Sequence, residues 1–103
     1  MRNTLMEFPY QIRMTGLPFM MQGWNNVYTK TDEESDGCPV YHLRPYMLYW
    51  FIDIIGVTLY RHNGVWVLKR DGEHHDFGIN KYGQKPQSDP FGYWTYGAEV
   101  KPC

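Results

Sequence analysis

At 103 residues the chain is long enough to bury a core of its own, so folding as one domain requires neither a disulfide nor a metal. Ten Lys and Arg against eleven Asp and Glu leave a formal net charge of −1. No basic stripe stands out, which argues against nucleic acid as a partner, because phosphate neutralisation supplies most of that affinity.

Four Trp, nine Tyr and five Phe, with ten Gly, weight the chain towards strands and turns. The first twenty residues contain Arg2, Glu7, Pro9, Arg13 and Pro18. These interrupt any apolar stretch, so no signal peptide is expected there. Residues 8–15 alternate, with Phe8, Tyr10, Ile12 and Met14 on one face, which predicts a half-buried strand. Pro9 cannot donate to a ladder and places that end at an edge. Gly16 and Pro18 end the strand. Phe19, Met20 and Met21 follow as a short apolar segment. Together with Leu5 and Met6 they form a candidate interface for a protein partner.

Residues 24–31 read as a second strand, and residues 31–37 as an acidic solvated loop. Residues 39–43 resume strand character until Arg44-Pro45 breaks it. Residues 46–55 are the densest apolar run. Their β-branched and aromatic content predicts a strand buried on both faces, with a helical turn over 46–51 as the alternative. The apolar window over 46–60 contains Asp53 and Gly56 and is shorter than the roughly twenty residues a membrane span needs.

The strongest local signal lies in residues 57–70. Asn63-Gly64 predicts a two-residue type I′ turn, because both central positions need positive φ. Its flanks are β-formers on both sides, so a hairpin is expected at the centre of the sheet. Residues 46–55 should pack alongside it, with Trp66 as a core anchor. Residues 71–76 form a polar turn and 77–80 a short strand. Residues 82–92 form a loop rich in Gly and Pro. Residues 93–101 form a closing strand with Trp94, Tyr96, Ala98 and Val100 on one face. Seven to eight short strands at roughly 8–12-residue spacing predict an all-β fold, a small antiparallel β-sandwich or barrel.

No catalytic constellation emerges. Cys38 sits between the acidic segment and Pro39, which disfavours a thiolate. Ser35 and Ser88 lie outside any Gly-x-Ser-x-Gly elbow, and neither a Gly-x-Gly-x-x-Gly nor a Walker loop occurs. Asp32, Glu34, Asp36 and Gly37 match the first half of an EF-hand loop, but its twelfth position is Leu43 and its flanks are strand-like. His42 and His62 lie on different predicted strands that could converge, whereas His74 and His75 are adjacent and point to opposite faces. No metal or cofactor is therefore expected. Cys38 and Cys103 read as two free thiols in a reducing compartment rather than a long-range bridge.

Tyr82, Phe91, Tyr93, Trp94 and Tyr96 are a candidate aromatic platform for carbohydrate, while Trp50, Trp66 and most other Tyr read as core. The expected function is a non-catalytic protein-binding or structural module, an accessory subunit of a larger complex. A carbohydrate- or small-ligand-binding module is the alternative, and a metal- or thiol-dependent enzyme comes third.

Overall fold

The computed structural model describes residues 8–73, 78–79, 90–94 and 97–103. The fold is all-β. Its strands are β1 (Gln11–Thr15), β2 (Val27–Ser35), β3 (Cys38–Leu43), β4 (Tyr46–Leu48), β5 (Ile52–Ile54), β6 (Val57–His62), β7 (Val65–Arg70), β8 (Gly78–Ile79), β9 (Gly92–Tyr93) and β10 (Glu99–Pro102). Eight of them form one antiparallel sheet in the order β8-β7-β6-β3-β2-β1-β10-β9, and β4 and β5 form a second, two-stranded sheet. The large sheet is curled. Its outermost members, β8 and β9, are two residues each. Among the described residues, no helix is long and apolar enough to cross a membrane.

The core follows from strand alternation. Ile12 and Met14 of β1, Tyr28 of β2, Tyr41 of β3, Val57 and Leu59 of β6, Trp66 and Leu68 of β7 and Val100 of β10 are all buried on the inner face. Trp66 anchors this cluster as expected, with its ring centroid 6.1 Å from that of Phe8 and 6.5 Å from that of Tyr41. The polar ends of three buried aromatics bond to backbone carbonyls. Tyr28 donates to Trp24 O at 2.9 Å, Tyr41 to Pro9 O at 2.6 Å, and Trp94 Nε1 to Pro90 O at 2.8 Å.

The Asn63-Gly64 hairpin forms as expected, with φ of 52° and 87° and Leu59 opposite Leu68. It does not occupy the centre of the sheet. The β2–β3 hairpin lies there, and β3 is the neighbour of β6. The acidic segment is also strand rather than loop. β2 continues to Ser35, and the reversal is confined to Asp36-Gly37, with φ of 57° and 78°. This Asp-Gly pair has the same turn chemistry as Asn-Gly, and Asp32, Glu33 and Glu34 are exposed, so their charges carry no burial cost. The tips of the two hairpins are tied together. Ser35 Oγ donates to Arg61 O at 2.7 Å, Gly64 N donates to Asp36 Oδ2 at 2.9 Å, and the Arg61 guanidinium lies 3.6 Å from the same carboxylate.

Other departures have local causes. Trp24 closes a 3-10 helix over Phe19–Trp24 instead of opening β2. Tyr10 is exposed because the chain bends there after Pro9 and the strand starts at Gln11. Residues 93–101 are not one strand. β9 and β10 pair as a hairpin, reversed at Gly97 (φ 77°) and closed by Trp94 N donating to Ala98 O at 2.8 Å.

The largest departure is residues 46–55, which are neither a strand buried on both faces nor a helical turn. β4 and β5 pair with each other, Tyr46 opposite Ile54 and Leu48 opposite Ile52, and leave the large sheet altogether. The chain reverses at residues 49–51, where Tyr49 (φ 56°) and Trp50 (φ 73°) hold the left-handed conformation. No Gly, Asn or Pro marks that reversal, so turn chemistry gave no sign of it.

Candidate functional site

The β4–β5 hairpin is the feature that the core does not explain. One of its faces is fixed to the body. Tyr46 Oη donates to Gly23 O at 2.6 Å, and Trp24 Nε1 donates to Ile55 O at 3.1 Å. Gly23 is buried because Ile54 fills the space where its side chain would stand. These contacts clamp the hairpin base against the 3-10 segment. Its tip is left in solvent: Trp50 is 93% exposed, Phe51 78% and Tyr49 67%.

Other apolar side chains extend this surface. Met47, Ile52 and Ile55 are exposed on the hairpin and just after it, and Phe19 and Met20 are exposed on the 3-10 segment. Met20, Ile52 and Ile55 line one shallow hollow, so the segment and the hairpin present adjoining apolar surface. Exposed large apolar side chains are ordinary when scattered singly, whereas a contiguous group marks an interaction surface. The left-handed backbone at Tyr49 and Trp50 costs on the order of 1–3 kcal/mol per residue, a strain that tends to gather at functional sites.

The residues singled out from sequence separate accordingly. Phe19 and Met20 are exposed, and Met21 is half-buried against the core. Leu5 and Met6 lie outside the described residues. Trp50, read from sequence as core, is instead the most exposed aromatic of the hairpin. In the candidate carbohydrate platform, Trp94 is buried and bonded to Pro90 O, so it offers no face to a sugar. Phe91 is half-buried against the core. Tyr93 belongs to β9, and Tyr82 and Tyr96 lie outside the described residues.

His42 and His62, which the sequence left free to converge, do not. His42 pairs with Thr58, four residues before His62 on β6. That separation is about 13 Å along a strand, so the two rings do not meet. His42 Nε2 instead lies 2.9 Å from Asp71 Oδ2, and Asp71 Oδ1 accepts from Thr58 Oγ1 at 3.1 Å. Asp32 and Glu34 lie on a strand, while Asp36 is committed to Gly64 and Arg61. Among the described residues, no three His, Cys, Asp or Glu side chains cluster with the spacing of metal ligands. His74 and His75 lie outside them.

Cys38 is buried and Cys103 exposed, and both are free thiols. Burial pushes the Cys38 thiol up, opposed by the nearby Arg61 guanidinium. Burial also pushes the Tyr41 phenol up to about 12, and drives the Tyr28 phenol higher still, with a smaller contribution from Tyr46. These groups stay protonated in the fold at pH values where the unfolded chain releases their protons. The unfolded state then binds fewer protons, so stability falls as pH rises. Stability is expected to be full below the ordinary thiol value of 9.0, and to drop steeply from the ordinary phenol value of 10.0 towards about 12. Urea midpoints at pH 8, 10 and 11 check this. A midpoint that holds constant across the series contradicts it.

No family model, curated protein or solved structure matches the chain.

Proposed function

We propose that the chain is a non-catalytic β module that docks a protein partner through the tip of the β4–β5 hairpin, as an accessory subunit of a larger complex. The observation that supports this reading is the exposed run Tyr49-Trp50-Phe51, carried on a hairpin whose base is clamped and whose turn is fixed in the left-handed region. Trp and Tyr dominate binding hot spots, and a tip held in advance loses little conformational entropy when it docks. The three rings each offer about 150–250 Å². With Phe19, Met20 and Ile52 they approach the roughly 800 Å² per partner of a standard interface. Asp53 is exposed opposite Met47, the one carboxylate on the hairpin. The complementary surface is an apolar groove with a Lys or Arg at its rim.

A photoreactive residue at position 51, with position 33 as control, identifies the partner, which is then purified and titrated against the intact chain. Trp50→Ala is expected to weaken that binding by about 2 kcal/mol or more, a roughly 30-fold loss. It should leave the urea midpoint unchanged, because Trp50 supports nothing in the core. Equal affinity for Trp50→Ala and the parent chain would sink the reading, as would a crosslink pattern identical at positions 51 and 33.

A further inference from the structure

We infer that the cleft lined by Tyr10 and Arg44 is a binding site for a small organic anion, a carboxylate or phosphate monoester on a flat apolar body. The inference does not depend on the hairpin tip. The cleft has a volume of about 540 Å³, within the roughly 300–1,000 Å³ of small-molecule sites. His42 lies in β3 and Arg44 is the first residue past its end, both line the cleft, and Thr29 lies opposite His42 on β2. Pro45 holds Arg44 in extended backbone. Tyr10 is positioned by its carbonyl, which accepts from Lys30 N at 2.8 Å.

Arg44, Asn26 and Thr29 each bring a donor to this cleft. Among the described residues, Arg44 pairs with no carboxylate and no Asp or Glu lines the cleft. Asn26 Oδ1 accepts from Val27 N at 2.7 Å, which turns its amide so that Nδ2 remains available to donate. Thr29 Oγ1 accepts from Gln11 Nε2 at 3.3 Å and keeps its own hydrogen to give. Asp71 holds the His42 ring through Nε2. That carboxylate lines the neighbouring hollow, beyond the imidazole.

In a chain with more acidic than basic residues, a cleft whose described lining has one Arg, several donors and no carboxylate is matched to an anion. The rings of Tyr10 and Tyr46 supply walls for the apolar body. Tyr46 has its hydroxyl bonded elsewhere, so its ring is what the cleft sees.

The test is a titration of the whole chain, followed by amide resonances, with benzoate and phenyl phosphate as probes. Inorganic phosphate and benzyl alcohol serve as the two half-ligands. Saturable shifts at Asn26, Thr29, His42 and Arg44 are expected with at least one aromatic anion, at millimolar or tighter Kd. Each half-ligand should bind at least tenfold more weakly, and the better aromatic anion identifies the head group. Arg44→Gln should weaken that anion at least tenfold with an unchanged melting temperature, since the side chain is exposed and supports no part of the core. The assignment is overturned by the absence of saturable shifts with both aromatic anions. A half-ligand that binds as tightly, or an Arg44→Gln variant that binds equally well, also overturns it.

Discussion

Trp66→Ala is expected to destabilise the chain by about 3–5 kcal/mol, the range for removing a large aromatic from a packed core. A domain of this size has roughly 5–15 kcal/mol in total, so much of the variant should be unfolded at modest urea. The magnitude follows from the position of the ring. Trp66 is fully buried on β7, opposite Arg61, with Phe8 and Tyr41 against it. Tyr41 is held in β3 and by its hydroxyl on Pro9 O, and Phe8 by Lys30 Nζ donating to its carbonyl at 3.2 Å, which limits how far they can move into the space. Urea unfolding followed by circular dichroism gives the value. A loss under about 1 kcal/mol would mean that the neighbours close the cavity, contrary to the packing described. Trp50→Ala is the contrasting substitution, with the same change of side chain and no expected loss.

Gly56→Ala is expected to cost about 1–3 kcal/mol through overpacking. The added carbon would stand 2.5 Å from Asp71 Oδ2, 2.9 Å from Leu43 O and 3.0 Å from Pro45 Cδ. The carboxylate can swing aside, but the Leu43 carbonyl and the Pro45 ring belong to the backbone path that leads into β4 and cannot. The substitution therefore acts twice. It presses on the junction between the two sheets, and it displaces the Asp71 carboxylate that holds His42 and Thr58. Urea unfolding reads the first effect, and the His42 ring resonances read the second. A midpoint equal to that of the parent, with unmoved His42 resonances, contradicts both. At Gly23 the nearest atoms the added carbon would meet all belong to the Ile54 side chain, Cδ1 at 2.7 Å and both Cγ atoms at 3.2 Å, so Gly23→Ala presses first on a side chain rather than on backbone.

Much of the fold was legible because its causes are local. Asn63-Gly64 requires positive φ at both positions, and the flanking residues prefer strands, so the hairpin could be read from a dozen residues. Alternation likewise marked Ile12 and Met14 as inward. Asp36-Gly37 carried the same signal, but the surrounding carboxylates drew the reading towards a loop. Whether an apolar run is buried is a different kind of question, because it depends on what the rest of the chain places beside it. Residues 46–55 have the composition of a central strand. They lie outside the core because β3 already pairs with β6 and leaves no gap in the sheet. The exposed tip therefore could not be found from its own sequence. The Arg44 cleft was hidden for a related reason, since Tyr10, Asn26, Thr29 and His42 meet only through strand register.

The latched hairpin tips also bear on the order in which the sheet assembles. β2–β3 and β6–β7 each close over a two-residue turn, and the bonds from Ser35 and Asp36 to the second hairpin join them into one four-stranded unit. β1 and β10 instead pair Ile12 with Pro102, ninety positions apart, where His62 and Val65 of the second hairpin are three apart. Closing the longer loop costs about 3 kcal/mol more in chain entropy. The four-stranded unit is thus the expected nucleus, and the β1–β10 seam is expected to zip after it and to open before it. Thermal breathing of this protein should run outward from that seam, leaving the β2–β3 and β6–β7 hairpins standing.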